Sequence, residues 1–196
     1  MFLQLDSVYL SSWNVFTKNW WQYIVVSLIM TLLLFIPLGG ILQFFVMLLF
    51  LNAVLKVLRG NIITFSSFLK FKEIFNTKVI VMVVILGLYA YLMQVMENPA
   101  FASIFGIVTF ILSIIFFPVL CVLIDKKFNI KETFVYSAKL TKNLRFEIFL
   151  IMLLNFVIGL IGFLLLFVGI FIAIPVITIV NAKTYLLLEE KINSQQ

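Results

Sequence analysis

The sequence predicts an all-α, polytopic membrane protein with six transmembrane helices arranged as three hairpins. Of its 196 residues, 64% are hydrophobic and only 11% are charged, and the mean hydropathy is +1.23. A water-soluble domain exposes too much surface to cover it with so few polar residues. The apolar residues also gather into runs of about 20, the length of helix that crosses a bilayer core. Lipid is therefore the expected solvent of this chain.

Six apolar runs are candidate spans, and each is hydrophobic on all sides, as expected of helices in lipid. An open sheet is excluded there, because its edge N–H and C=O groups would have no hydrogen-bond partners. The start of the chain has neither a basic n-region nor a small-residue cleavage site, so we expect the first span to direct insertion. The predicted spans are Trp20–Ile36, Ile41–Val57, Val79–Met96, Ala100–Ile124, Ile148–Phe167 and Ile170–Leu188.

The connections between these runs alternate in length and charge. The turns Pro37–Gly40, Glu97–Pro99 and Val168–Gly169 are short and contain no Lys or Arg, whereas the segments Leu58–Lys78 and Asp125–Glu147 are long and basic. Basic loops stay on the cytoplasmic side of a membrane. We therefore expect the long segments and both termini in the cytoplasm.

A short amphipathic segment precedes each hairpin, and we expect each one to form a helix in the cytoplasmic headgroup layer. Thr64 is a suitable N-cap for the second of them. The alternative is that these segments are ordinary cytoplasmic loops. The residues that share one face at helical spacing are Tyr9, Trp13, Phe16 and Trp20 in the first segment, Phe65, Phe68, Phe71 and Phe75 in the second, and Phe134, Ala138 and Thr141 in the third.

The three units together predict an internal repeat within a single transmembrane domain, 1–196. Its units cover about 3–60, 61–127 and 128–190, and "FTKN" and "LTKN" precede the first and fifth spans. Self-similarity at a fixed period is typical of stacked supersecondary units. All three units have the same orientation, which indicates a parallel repeat and not an inverted one.

Several kinds of chemistry are excluded by residue type. The chain has no His and one Cys, Cys121, which removes disulfides, the usual zinc sites and His-assisted catalysis. No ionisable residue occupies the middle of a span, and no phosphate-binding glycine loop or nucleophile motif is present. We expect no catalytic residue, cofactor or metal site, and no enzymatic activity. The net charge of +6 comes from residues that flank apolar runs, so nucleic acid is not an expected partner.

A few mild polar residues lie inside the predicted spans. Asn155, Thr31 and Ser113 are the candidate intramembrane polar contacts. For Asn155 an interhelical hydrogen bond is favoured over contact with a solute, since an amide in lipid is costly without a partner. Pro118 and Pro175 are expected to bend the fourth and sixth spans, because proline removes a backbone donor.

Five basic residues are candidate contacts for anionic lipid headgroups at the cytoplasmic face. The topology alone would place basic residues there, and this explanation is favoured over a specific lipid site. These residues are Lys126, Lys127, Lys139, Lys142 and Arg145.

Short motifs along nearly the whole chain resemble those of known membrane-protein families. The stretches "SSWNVFTKNWW", "IPLGG", "FFPV", "YSAKLTKN", "IPV" and "NAKTYLLL" together resemble bacterial inner-membrane families of the YciC-like type. They are also similar to the membrane portion of some glycerophosphodiester phosphodiesterases. The resemblance implies a six-helix inner-membrane fold and supplies no catalytic residue. It implies no phosphodiesterase activity either, because the soluble catalytic domain is not in this sequence.

Two functions follow as expectations. The first is a non-catalytic accessory or scaffold subunit, or an envelope-homeostasis factor, that acts through protein or lipid partners or as a homo-oligomer. The second is a carrier or channel for a lipid or small uncharged solute, through a cavity lined by Asn155, Thr31, Ser113 and the two proline bends. Immunity to a membrane-active toxin also suits a small six-span protein, and a membrane enzyme has the least support.

Overall fold

The computed structural model describes residues 4–35, 39–62, 77–95, 99–165 and 168–194. Within these ranges all regular structure is helical, in agreement with the predicted all-α class, and one 3-10 turn (Leu33–Phe35) follows the second helix. The α-helices are α1 (Leu5–Lys18), α2 (Trp20–Leu32), α3 (Gly39–Leu58), α4 (Thr77–Val95), α5 (Pro99–Ile115), α6 (Val119–Asp125), α7 (Ile130–Thr141), α8 (Arg145–Leu164) and α9 (Ile170–Asn193).

Some of these helices have the length and composition needed to cross a membrane. Among the described residues α8 and α9 qualify singly, and the bent pair of α5 and α6 makes a third if it counts as one span. Trp20–Leu32 and Leu42–Leu58 are shorter apolar helices. The helices are therefore compatible with a membrane location, as the hydropathy predicts.

The run predicted as one span over Ala100–Ile124 is divided in two. α5 and α6 meet at an angle of 45° across the turn 116–118, which contains Pro118. Proline has no N–H to donate to the preceding turn, so the helix breaks there. Pro175, by contrast, lies inside α9, which continues through it.

Two of the three predicted amphipathic helices fall on described residues, as α1 and α7. α1 ends at Lys18, so Trp20, predicted on the same face, belongs to α2 instead. α7 begins with a capping box in which Asn129 and Glu132 bond to each other's backbone N–H groups, the usual way to satisfy the first donors of a helix. The second predicted segment, with Thr64 as its N-cap, lies outside the described residues.

α9 lies at the centre of the packing. It contacts α1, α2, α3 and α8, and its residues Ile179, Val180, Ala182 and Tyr185 are fully buried. α8 instead exposes large apolar side chains, such as Phe156, over its carboxyl-terminal half. A helix with that exposed face suits lipid, because lipid chains are as apolar as the side chains.

Candidate functional site

A chain of hydrogen bonds joins α1, α8 and α9. The hydroxyl of Tyr9 lies 3.0 Å from Oδ1 of Asn155 and 3.1 Å from the carbonyl oxygen of Ile151. The side-chain amide of Asn155 donates to Oδ1 of Asn181 at 2.8 Å. Asn155 is buried, so these partners offset the cost of placing an amide among apolar side chains. The observed contact is the interhelical bond that the sequence favoured for Asn155.

These bonds place α1 along the side of the α8–α9 hairpin. Asn155 lies about 15 Å along α8 from Arg145, at 1.5 Å per residue. The ammonium group of Lys183 on α9 donates to the hydroxyl of Ser11, two residues further along α1. Two polar contacts therefore hold α1 against the hairpin.

A groove of about 590 Å³ opens between α1 and the hairpin. One face of α1 forms the first wall, and residues between Ile158 and Leu165 on α8 and between Gly169 and Val176 on α9 form the rest. Its size is typical of a small-molecule site. Apart from the carboxylate of Asp6 and the hydroxyl of Tyr9, the side chains that line the groove are apolar or are the indole of Trp13.

Two glycines let α8 and α9 approach closely beside this groove. A Cβ added at Gly162 would lie 2.9 Å from the Cβ of Ala173 and 3.0 Å from the carbonyl oxygen of Gly169. A Cβ added at Gly169 would lie 2.7 Å from the carbonyl oxygen of Gly162. Larger residues would push the helices apart, so these glycines set the spacing of the hairpin at this end of the groove.

An ion-pair cluster joins the last turns of α3, α6 and α9. The guanidinium of Arg59 donates to both carboxylate oxygens of Asp125, one of them at 2.8 Å, and lies 3.6 Å from Glu189. The hydroxyl of Tyr185 donates to Asp125 at 2.6 Å. Lys126 forms a hydrogen-bonded ion pair with Glu189. Such planar, two-pronged Arg–carboxylate pairs fix geometry as well as charge.

The cluster raises the pKa values of its two cations. The hydrogen bond from Arg59 to Asp125 is the main cause of the raised pKa of Arg59, and the hydrogen bond to Glu189 is the main cause for Lys126. A raised pKa in the folded protein stabilises it at neutral pH, and that contribution is lost only when the pH rises through the raised pKa. Burial raises the pKa of nearby Tyr136.

The basic residues predicted to contact headgroups differ in their exposure to solvent. Lys126 is half-buried in its pair with Glu189. The other four are exposed: Lys127 lies before α7, Lys139 on α7, Lys142 directly after it, and Arg145 is the first residue of α8. Another cavity, of about 530 Å³, lies beside Tyr136 and Lys139 on α7.

The other predicted polar contacts do not meet Asn155. The hydroxyl of Thr31 donates to the carbonyl oxygen of Ser27 at 2.9 Å, and that of Ser113 donates to the carbonyl oxygen of Phe110 at 2.6 Å. Both bonds lie within a single helix. Neither residue is among those that line the groove.

Sequence reasoning missed most partners of these groups, although two signals were present. Asn155 and Asn181 lie at equal sequence distances from Val168. In a helical hairpin that turns at Val168, two such residues face each other. Arg59 and Asp125 are 66 residues apart, close to the predicted repeat period. Nothing in the sequence indicates that Tyr9 would reach Asn155.

The described part of the chain contains no group of three or more His, Cys, Asp or Glu residues that could hold a metal ion. The apolar groove is a cavity formed within this described part. Such a groove can bind an amphiphilic molecule. Its apolar walls suit a hydrocarbon chain, and the carboxylate of Asp6 and the rings of Tyr9 and Trp13 can contact the polar end of that molecule.

Comparison with known proteins adds no relative. A scan against protein-family models, a search of curated proteins and a search of solved structures each return no match.

Proposed function

We propose that this protein is a non-catalytic accessory or scaffold protein of the bacterial inner membrane that holds a lipid in the groove between α1 and the α8–α9 hairpin. The observation that carries the proposal is the groove itself, which measures about 590 Å³ and has almost wholly apolar walls. In a bilayer such a groove fills with hydrocarbon, because no water is present to occupy it. Membership in a YciC-like family, and further protein partners or a homo-oligomer, belong to the same proposal.

The proposed architecture has six spans in three hairpins, with the two long basic segments and the carboxyl terminus in the cytoplasm. The ion-pair cluster supports it, because one charged residue near the end of each unit takes part: Arg59, Asp125 and Glu189. Three parallel repeat units would bring these ends to the same side of the membrane. A side rich in Lys and Arg is expected to be cytoplasmic.

Cysteine labelling tests this topology. In a Cys121→Ala background, we expect Asn98→Cys, which lies outside the described residues in the predicted connection between the third and fourth spans, to react with a membrane-impermeant maleimide applied to spheroplasts. Ser194→Cys, near the exposed carboxyl end of α9, serves as the matched control and should react only after the membrane is permeabilised. The reverse labelling pattern would overturn the topology.

Lipid retention tests the function. The full chain is purified in a mild detergent, and bound lipid is measured by native mass spectrometry. We expect one lipid per chain for the wild type and its loss when Ile172→Asp places a charge in the apolar wall of the groove. Val108→Asp, at an exposed position of α5 outside the groove lining, is the control and should keep the lipid. Equal retention by both variants would contradict the proposal.

A carrier for lipid is the second candidate, because the same groove is open to the surroundings along the side of the hairpin. A holder and a carrier differ in whether lipid crosses the membrane. Proteoliposomes with a fluorescent lipid in both leaflets distinguish them by bleaching of the outer leaflet. A carrier exposes the inner pool to bleaching, whereas a holder leaves about half of the fluorescence protected.

A further inference from the structure

We propose that the groove selects an amphiphile with an ammonium headgroup, such as phosphatidylethanolamine, over an anionic lipid. This inference rests on the proposed function and specifies the lipid that the groove holds. It follows from charge complementarity between that headgroup and the polar residues of α1 that line the groove.

These residues share one face of α1. Asp6, Tyr9, Leu10 and Trp13 all line the groove, and their spacing of three and four residues places them side by side on a helix. Asp6 lies in the first turn of α1 and forms no ion pair with the residues that the structure describes. A carboxylate and two aromatic rings thus occupy one wall of an otherwise apolar groove.

This combination fits an ammonium group. Aromatic rings attract cations through their π faces, and cages of Trp and Tyr are the usual recognition element for alkylammonium ligands. A carboxylate close to lipid is costly unless a cation lies beside it. An ammonium headgroup satisfies both, whereas the phosphate of an anionic lipid without an amine would be repelled by Asp6.

The remaining walls suit the chain of the same molecule. Apolar side chains such as Leu10, Ile161 and Ile172 form most of the remaining lining of the groove. Headgroup and chain would therefore contact one continuous surface. Affinity for the chain comes from apolar contact, and selection between lipids comes from the α1 face.

Quenching of Trp13 fluorescence tests the inference. The protein has three Trp residues, so Trp20→Phe and Trp21→Phe leave Trp13 alone. The full chain is placed in phosphatidylglycerol nanodiscs with a few mole per cent of a lipid carrying brominated chains. We expect brominated phosphatidylethanolamine to quench Trp13 at roughly fivefold lower mole fraction than brominated phosphatidylglycerol.

Two variants and one control complete the experiment. Asp6→Asn should abolish the roughly fivefold preference, and Asp6→Glu should retain it. A protein that keeps only Trp21, an exposed residue outside the groove lining, should be quenched equally by both lipids. The basic protein attracts phosphatidylglycerol, which biases the comparison against the expected result.

The outcomes separate the two proposals. Equal quenching of Trp13 by the two lipids, above the level seen at Trp21, would overturn the headgroup selection and leave the lipid-holding function intact. Quenching of Trp13 at the level of Trp21 by both lipids would overturn the lipid-holding function as well. A preference that survives Asp6→Asn would overturn the role of Asp6.

Discussion

A single threonine shows how one side chain can stabilise a broken helix. Thr141 on α7 is fully buried, and its hydroxyl donates to the carbonyl oxygen of Ile115 at 2.8 Å. That carbonyl ends α5, and the N–H of Val119, its partner in a continuous helix, donates to Phe116 instead. Thr141 therefore satisfies an acceptor that the bend would leave unpaired.

Thr141 begins a Thr-Lys-Asn tripeptide that also occurs at 17–19. There the threonine makes a different hydrogen bond. Thr17 is exposed, and its hydroxyl donates to the carbonyl oxygen of Asn14 at 3.1 Å, within the same turn of α1. The threonine of the same tripeptide thus makes a contact with another helix at one position and a contact within its own helix at the other. The tripeptide alone does not determine which contact forms.

Thr141→Val should therefore destabilise the protein by about 1–2 kcal/mol, because it leaves the part-buried carbonyl of Ile115 without a donor. Thr17→Val removes only an exposed local bond and should stay within about 0.5 kcal/mol of the wild type. Denaturant unfolding in mild detergent measures both. Equal losses for the two variants would show that the Ile115 bond contributes nothing specific.

Asn155 illustrates what residue-scale reasoning can reach. An amide in an apolar run is costly alone, so its need for a partner was predictable from the sequence. The identity of Tyr9 as one partner was not, because the two residues are 146 positions apart. Candidate groups were therefore visible in the sequence, and their partners mostly were not.

At the scale of elements, the α8–α9 hairpin depends on its small residues. Gly162 and Gly169 meet with their backbones almost in contact, and the groove lies directly beside them. In the sequence Gly169 and Ala173 are four residues apart, as are Ala102 and Gly106, and this spacing places two small residues on one face of a helix. At Gly106, however, a Cβ would meet nothing within 4 Å.

Gly169→Ala should destabilise the hairpin by about 1–3 kcal/mol, because the new Cβ would overlap backbone atoms that cannot rotate away. Gly106→Ala lies inside helix α5 with open space around it. It should be neutral or stabilising by up to about 1 kcal/mol, as alanine favours a helix over glycine. Thermal unfolding of the two variants in detergent makes the comparison. A loss of stability for Gly106→Ala as large as that for Gly169→Ala would refute this account.

At the scale of the whole molecule, the ion-pair cluster ties together helices that are remote in sequence. Asp125 is its centre, since Arg59 and Tyr185 both donate to its carboxylate. Glu189 extends the cluster by pairing with Lys126. The ends of α3, α6 and α9 are therefore held at one point.

Asp125→Asn should cost about 2 kcal/mol of unfolding free energy, because the charged acceptor of two donors is lost. Glu190→Gln is the matched control, since Glu190 is exposed beside the cluster and surface charge changes have small effects. Its effect should stay below about 0.5 kcal/mol. Unfolding at neutral pH measures both variants. An Asp125→Asn protein as stable as Glu190→Gln would mean that the cluster does not hold these helix ends together.

The sequence by itself determined that the chain suits lipid, that its regular structure is helical, and where its basic segments lie. These are sums over neighbouring residues, and composition, run length and proline positions are enough to predict them. The break at Pro118 belongs to the same class, because the missing N–H is a property of one residue.

Only the tertiary structure decided which polar groups meet, and that a groove remains between α1 and the α8–α9 hairpin. Those features join residues such as Arg59 and Asp125, 66 positions apart, or Tyr9 and Asn155, 146 apart. Apolar helices gain little from one apolar neighbour over another in lipid, so hydropathy does not rank their packings. A few hydrogen bonds and close glycine contacts make that choice, and they exist only once the helices are assembled.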